Sequence, residues 1–174
     1  GSKRFTESYI LGELIRQNAQ TAGEAVTAHQ QGLGNTAIVL SALRTGNIDI
    51  YPEYTGTIAR EILKLDHVPP LPELNAKLAP MGLAVAVPLG FNNTYALAMR
   101  AEMARSKGIA RLSDLKAHPA LRLGLSQEFI GRADGWPGLQ RAYGLPFGVA
   151  RGLDHGLAYE AVAQDQVDVI DIYS

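Results

Sequence analysis

Hydrophobic residues recur at helical spacing in several segments of the chain. The most regular segment, 5–22, has apolar residues every three or four positions, which predicts a helix with Thr6 as its cap. A second helix is predicted over 36–44, with Asn35 or Thr36 in the capping position. The same spacing predicts shorter helices over 55–64, 73–78, 113–117, 137–143 and 157–164. These helices are separated by short apolar segments of a different kind.

The short apolar segments between the helices predict strands. They are 25–29, which is weak, and 48–51, 83–87, 95–99, 121–125 and 167–172. Strands that alternate with helices are typical of an α/β fold with largely parallel sheets. The hydrophobic pattern therefore predicts an α/β fold, and the chain shows no internal repeat and no low-complexity linker.

The composition is that of an ordinary folded protein. The chain has 174 residues, of which 47% are hydrophobic and 19% charged, with a formal net charge of −1. A chain with so little net charge has no overall basic field, so nucleic acid is not expected as a partner. The longest apolar stretch, 78–91, is interrupted by prolines and glycines and is too short to span a bilayer. One globular domain or two small lobes are expected.

A glycine turn offers one route to an enzyme. The sequence GLGNTA, from Gly32 through Gly34 to Ala37, fits the pattern of a dinucleotide-binding turn that opens a helix. However, the strand predicted before it is short and polar, and no acidic residue for the ribose is clearly placed. The simpler interpretation is a glycine turn into a helix. A nucleotide-binding α/β enzyme that uses this turn remains an alternative.

Other residue types that carry chemistry show no functional pattern. The histidines are scattered without the spacing of metal ligands, and the chain has no cysteine. Asp165, Asp168 and Asp171 lie close in sequence, but alternation along the last strand favours a solvated or strand-end role for them. The sequence contains no nucleophile elbow, phosphate-binding loop or H-E-x-x-H motif. We therefore predict no catalytic residue, no metal site and no cofactor.

Tyrosines and small hydroxyl residues stand where predicted strands run out into loops. The sequence GNIDIYPEYTGT, 46–57, is one such place, with two tyrosines in four positions. Together with GSKRFTESYILGELI, GFNNTYALAMR, EFIGRADGWPGL and VDVIDIYS, it resembles motifs of a known family in the same order along nearly the whole chain. The family comprises substrate-binding proteins of osmoprotectant transporters of the ATP-binding-cassette (ABC) class. Its members, of the ProX/OpuC kind, bind glycine betaine, choline or proline betaine.

The resemblance implies a two-lobed α/β fold, the type II periplasmic-binding-protein fold, with the ligand held between the lobes. The first lobe would span 1–90, a hinge crossing 91–93, the second lobe 94–172, and a return crossing would begin at 173–174. Compared with the family, the first lobe is expected to be truncated at both ends. The second lobe is expected to be complete.

The resemblance also implies a set of ligand-binding residues. Tyr54, Tyr95 and Tyr173 would form walls of an aromatic cage. Such a cage suits a trimethylammonium group, which donates no hydrogen bond but is attracted by aromatic faces. Arg132 would bind the carboxylate of betaine, with help from Lys3 and Thr57, because a carboxylate needs cationic or hydroxyl donors.

The function implied is solute capture for an ABC importer and not bond chemistry. The expected partners are a quaternary ammonium osmolyte, used in osmoprotection, and the transporter permease. The expected location is periplasmic or extracytoplasmic, at the membrane through the transporter. Because an incomplete first lobe leaves strand edges uncovered, self-association through that lobe is also expected. The alternatives are the nucleotide-binding enzyme and a structural fragment that binds no solute.

Overall fold

The structure, a computed structural model, describes residues 1–173. Its contacts divide the chain into two compact units, the first from Gly1 to Phe91 and the second beginning at Asn92. Within the described residues, no helix combines the length and the apolar character needed to cross a bilayer. Each unit has a hydrophobic core of its own.

The first unit is built from helices joined by long extended segments. The helices are α1 (Thr6–Thr21), α2 (Thr36–Arg44), α3 (Thr55–Thr57), which continues as a π-helical turn over Ile58–Ile62, and α4 (Leu71–Leu78), which continues as a 3-10 turn over Ala79–Met81. Its core centres on Ile58, Ala59, Leu74 and Leu78. The predicted helices over 36–44, 55–64 and 73–78 are confirmed, although 55–64 is mostly π-helical and ends at Ile62.

Capping distinguishes the two long helices of this unit. The side chain of Asn35 accepts a hydrogen bond from the Ile38 amide at 3.2 Å, as a capping residue does. By contrast, α1 has Phe5 at its N-cap and no side-chain cap, so the prediction of Thr6 as the cap is wrong. Thr6 is instead the first residue of the helix.

The three strands predicted in the first unit are wrong. None of the segments 25–29, 48–51 and 83–87 forms a strand. The Ile50 carbonyl accepts from the Gly1 nitrogen at 2.9 Å. The amide of Val85 donates to the Asn75 side chain at 2.7 Å, and that side chain donates back to the Val85 carbonyl at 3.0 Å. Apolar character alone does not make a strand where no second strand pairs with it.

The second unit contains a four-stranded sheet in the order β1-β4-β2-β3. Its strands are β1 (Tyr95–Met99), β2 (Leu123–Ser126), β3 (Arg151–Leu153) and β4 (Val169–Tyr173). β1 runs antiparallel to β4, whereas β4, β2 and β3 are parallel. The strands predicted over 95–99, 121–125 and 167–172 are confirmed, while β3 was not predicted because it is short and exposed.

Helices cover the sheet of the second unit. They are α5 (Ala101–Lys107), α6 (Gln127–Gly131), α7 (Trp136–Tyr143) and α8 (His155–Ala163), with a 3-10 turn over Leu112–Ala117. Successive residues of β4, Val169 and Ile170, are 1% exposed and belong to different core clusters. The sheet is therefore buried on both faces, as parallel sheets are.

Candidate functional site

The carboxyl ends of the parallel strands bring aromatic residues together in the second unit. Tyr173 ends β4, and its partner in the antiparallel register is Tyr95, the first residue of β1. Their ring centroids lie 5.0 Å apart with an angle of 45° between the planes. A side-chain hydrogen bond also joins them. Two of the residues predicted as cage walls are thus direct neighbours.

Both of these tyrosines are neutral at any physiological pH. Burial, more than any other influence, raises the pKa of the Tyr95 hydroxyl and of the Tyr173 hydroxyl above the usual value. Their rings therefore present the quadrupole of an uncharged phenol, with electron density on each face.

Arg132 lies against Tyr95 and is buried, with 5% of its surface exposed. Its guanidinium carbon is 5.5 Å from the centroid of the Tyr95 ring. Its Nε and Nη2 each donate to the Asp134 carboxylate at 2.9 Å, and Nη1 lies 3.6 Å from Glu128 Oε1. Burial lowers the pKa of Arg132, but the hydrogen bond to Asp134 and the nearby negative groups outweigh it, so the net shift is upward. Arg132 is a permanent cation.

A glycine turn holds Arg132 in place. Arg132 ends α6 with an extended backbone, and its carbonyl accepts from the Gly135 amide at 3.0 Å. A Cβ atom on Gly135 would stand 2.3 Å from the Phe129 carbonyl oxygen, so no other residue fits there without movement of the backbone. The turn in EFIGRADGWPGL therefore depends on the glycine.

Two further ring-bearing residues at this edge of the sheet were not predicted from the sequence. Phe129 packs on Tyr95 with 4.8 Å between centroids, and His155 packs on Tyr173 at 4.7 Å. Phe129 belongs to one of the quoted motifs and could have been singled out as an aromatic neighbour of Arg132. His155 follows the capping residue Asp154 of α8, where no sequence pattern marks it.

A buried carboxylate, that of Asp171, accepts hydrogen bonds at the same edge of the sheet. Asp171, in β4, is 1% exposed and accepts from the Ser126 amide at 2.6 Å and from the Ser126 hydroxyl at 2.7 Å. The solvated role expected for this aspartate is wrong, because the end of β2 directs two donors at it. Asp168, by contrast, has the expected strand-end position directly before β4, where it is buried and accepts from Arg122.

The first unit holds Lys3, Tyr54 and Thr57. Lys3 Nζ donates to Glu53 Oε1 at 2.7 Å, and the two side chains are 6% and 7% exposed. The same carboxylate oxygen accepts from the Tyr54 amide at 2.9 Å. Lys3 Nζ lies 5.9 Å from the centroid of the Tyr54 ring. Lys3 and Tyr54 are therefore brought together by one buried glutamate.

The Tyr54 side chain also has contacts with the beginning of the chain. Its hydroxyl donates to the Glu7 carboxylate, and Phe5 stacks on its ring with 6.4 Å between centroids. Thr57 is the last residue of α3, one turn after Tyr54, and is 7% exposed. Glu7 and Glu53 were not predicted as part of a site, although both stand in the motifs quoted above.

Among the described residues, 1–173, no group of three histidine or acidic side chains is arranged to hold an ion. The two sets described here are instead suited to an organic ion with an apolar body. Each set combines aromatic faces with one buried cation that is paired with carboxylates.

Comparison with known proteins identifies the class. Residues 1–174 match the family described as the substrate binding domain of ABC-type glycine betaine transport systems, and the chain belongs to this family. The predicted resemblance is thereby confirmed. The family favours solute binding over the nucleotide-binding enzyme, since its members are the binding components of transporters.

Individual relatives agree with this assignment. A glycine-betaine-binding protein of Pseudomonas aeruginosa is 36% identical, over 95% of this chain and 58% of that protein. The glycine betaine-binding protein YehZ of Escherichia coli is 31% identical, over 94% of this chain and 59% of that protein. The chain therefore spans about three fifths of the length of these relatives.

A solved structure supports the fold. The crystal structure of a glycine betaine/carnitine/choline ABC transporter protein matches with a TM-score of 0.61 and 28% identity, over 99% of this chain and 66% of that one. The predicted α/β fold of the periplasmic-binding-protein type is confirmed by this likeness.

Proposed function

We propose that this chain is the solute-binding part of an ABC importer and that its solute is a quaternary ammonium osmolyte such as glycine betaine or choline. The observation that carries the proposal is the cluster at the sheet edge of the second unit. There Tyr95 and Tyr173 lie 5.0 Å apart, with the Arg132 cation 5.5 Å from the Tyr95 ring.

The chemistry of such a solute fits this cluster. A trimethylammonium group gains little from a carboxylate because it has no hydrogen to donate, but it gains cation–π attraction and burial of its methyl groups against aromatic rings. Choline-binding sites in proteins use this combination. The tilted pair of Tyr95 and Tyr173 supplies such faces, and the buried ring of Phe129 supports Tyr95 from the core.

The other end of glycine betaine is a carboxylate, for which Arg132 is the proposed partner. Asp134 holds two of its nitrogens, and Asp134 itself is 38% exposed. A ligand carboxylate would share or replace this aspartate, because charge-assisted bonds to a fixed guanidinium are among the stronger hydrogen bonds in proteins. The Asp134 pair therefore keeps Arg132 oriented before a ligand arrives.

In the first unit we propose Tyr54 as a further aromatic wall and Lys3 and Thr57 as donors to the carboxylate. The 5.9 Å between Lys3 Nζ and the Tyr54 ring supports a joint role, since a single methylene group separates the ammonium group of glycine betaine from its carboxylate. The two lobes, 1–90 and 94–172, would act on one solute, with 91–93 and 173–174 as hinge crossings. Binding would stabilise a closed state that the permease recognises.

The partners and the location follow from the same proposal. The protein would work outside the cytoplasm, docked to its permease, and would carry out no catalysis. Self-association through the first lobe is part of the proposal as well. The extended segments 48–51 and 83–87 form no strand and carry the exposed side chains of Ile50 and Val87, an apolar surface that a second copy of the chain would cover.

Calorimetric titration tests the function. Glycine betaine, choline, carnitine and ergothioneine form one group of ligands, and NAD represents the enzyme alternative. We expect heat from at least one quaternary ammonium compound and none from NAD. Binding of NAD alone would support the nucleotide-binding enzyme. No binding heat from any of these compounds would support a structural fragment that binds no solute.

A further inference from the structure

The surroundings of Tyr54 contain more charge than an aromatic wall requires. Lys3 Nζ, a cation of the protein itself, stands 5.9 Å from the centroid of the Tyr54 ring. A cation over an aromatic ring uses part of the attraction that the ring could offer to a second cation. Tyr54 would therefore be a poor wall for a trimethylammonium group if Lys3 were its only charged neighbour.

Two carboxylates contact Lys3 or Tyr54, and they do so at different atoms. Glu53 accepts from Lys3 Nζ at 2.7 Å and from the Tyr54 amide at 2.9 Å, so it acts on the lysine and on the backbone. Glu7 accepts the hydrogen bond of the Tyr54 hydroxyl and thus acts on the aromatic system directly. Of the two, Glu7 is the residue that can change the electron density of the ring.

The physical effect of that hydrogen bond is polarisation. A phenol that donates to a carboxylate gains electron density on its oxygen and ring, and hydrogen bonds to ionised groups are the strong ones. More density on the ring means a stronger attraction for a cation over its face. The bond also restrains the ring, because α1, a helix of 16 residues, holds Glu7 in its first turn.

We propose that Glu7 is a positioning residue which, through the Tyr54 hydroxyl, makes this ring prefer a cationic group over a neutral group of the same shape. The inference rests on the proposed function, because it assumes that Tyr54 faces the trimethylammonium end of the solute. It adds to that function the residue that discriminates by charge in the first unit.

The rival explanation is that Glu7 serves only the helix. An acidic side chain in the first turn of a helix is stabilising in any protein. A purely structural Glu7 would weaken all ligands alike when replaced, whereas the proposed role changes the ratio between two ligands. The experiment therefore has to measure that ratio.

Glycine betaine and 3,3-dimethylbutanoate make the ligand pair. They have the same shape and the same carboxylate, but the second has a neutral carbon in place of the quaternary nitrogen. In the full-length protein with Glu7→Gln, we expect affinity for betaine to fall about fivefold and affinity for the neutral analogue to change less than about twofold. Equal losses for both ligands, or an unchanged betaine affinity, would overturn the proposal.

The matched control is Glu13→Gln. Glu13 lies on the same helix, about 9 Å further along its axis, and pairs with Arg16 at 2.8 Å. This variant removes the same charge from the same element without touching Tyr54. Its ratio of affinities should equal that of the unaltered protein. A change as large as that of Glu7→Gln would mean that the overall charge of the unit, and not the bond to Tyr54, decides the preference.

Tyr54→Phe provides a second test that does not depend on the folding of the Glu7 variant. It removes the hydroxyl and keeps the ring, so the ratio of affinities should fall as it does in Glu7→Gln. Combining the two changes should add less than about twofold, because both act on one interaction. Additive effects would contradict action through the hydroxyl.

If the unaltered protein binds no quaternary ammonium compound, the proposed function fails and this inference with it. Binding with an unchanged ratio refutes the inference alone.

Discussion

The two units hold their candidate residues by different means. In the second unit, Tyr95 and Tyr173 are paired residues of adjacent strands, so a sheet that is buried on both faces places them. In the first unit no residue of 1–91 forms a strand, and Lys3 and Tyr54 are instead positioned by hydrogen bonds to Glu53. One set of residues depends on backbone register and the other on a buried ion pair.

Because of this difference, the loss of Lys3 and the loss of Arg132 should lower the stability of the protein by different amounts. The partner of Lys3, Glu53, has a side chain that is only 7% exposed, so little water can replace the lysine. The principal partner of Arg132, Asp134, is 38% exposed and can be hydrated instead. A buried charge without its counter-ion is expensive, whereas an exposed one is not.

Replacement of Lys3 should therefore cost more free energy than replacement of Arg132, of a cage tyrosine or of His29. We expect Lys3→Ala to lower the free energy of unfolding by about 3–5 kcal/mol, because it leaves the Glu53 carboxylate buried without a cation. Chemical denaturation measures this. The double variant Lys3→Met with Glu53→Gln, which removes both charges and keeps an acceptor for the Tyr54 amide, should recover most of the loss. A single variant as stable as the unaltered protein would show that the pair does not hold this unit.

Replacement of Arg132 should affect binding more than stability. We expect Arg132→Ala to weaken glycine betaine binding by about 1.5–3 kcal/mol, the range for hydrogen bonds to charged groups. Choline binding should suffer much less, because choline has no carboxylate. Arg141→Ala is the matched control, since Arg141 is exposed and its Nη2 donates to the Ala133 carbonyl at 3.0 Å. Equal losses for the two ligands would show that Arg132 supports the fold and not the acid.

Removal of single cage walls should have an intermediate effect. We expect Tyr54→Ala and Tyr95→Ala each to reduce affinity for a quaternary ammonium ligand by about 1–2 kcal/mol, the scale of a desolvated cation–π contact. Tyr95→Ala should also lower stability, since it removes the ring that packs on Phe129 at 4.8 Å. Titration and thermal unfolding of the two variants separate these effects. Unchanged affinity in both would refute the aromatic cage.

The smallest expected effect is a difference in acid sensitivity between the units. The pKa of His29 is lowered, and burial is the largest cause. Its Nε2 lies 2.9 Å from the Ser2 hydroxyl. Because the folded pKa is below the unfolded value of about 6.5, the unfolded chain binds more protons just under that pH. Stability from His29 is therefore present above pH 6.5 and is lost as the pH falls toward the folded pKa.

In the second unit the corresponding loss should come only in stronger acid. Hydrogen bonds from Arg122 lower the pKa of Asp168, so its contribution is present above about pH 4 and is lost as the pH falls through the folded pKa. We expect unfolding midpoints between pH 7 and pH 5 to decline in the unaltered protein and to decline less in His29→Gln. An identical decline in that variant would show that another group causes it.

Prediction from the sequence succeeded where a local pattern was enough. Helix α2 has its predicted bounds and the Asn35 cap, and β1 has its predicted bounds as well. The family was recognisable because its motifs are short, ordered and rich in unusual combinations of tyrosine, glycine and charge. The predicted strands of the first unit failed, because a strand exists only when a second backbone pairs with it. The roles of the six candidate residues stay predictions.

The sequence by itself determined the alternation of apolar segments, the positions of the tyrosines after them and the membership of a family of solute-binding domains. Only the tertiary structure decided what stands beside each of these side chains. Glu53 is 50 residues from Lys3 along the chain, and Asp171 is 45 residues from Ser126, yet each pair forms a hydrogen bond. Periodicity reports on neighbours within a few residues. Ion pairs and hydrogen bonds over such separations depend on how the chain folds back on itself, which local patterns do not encode.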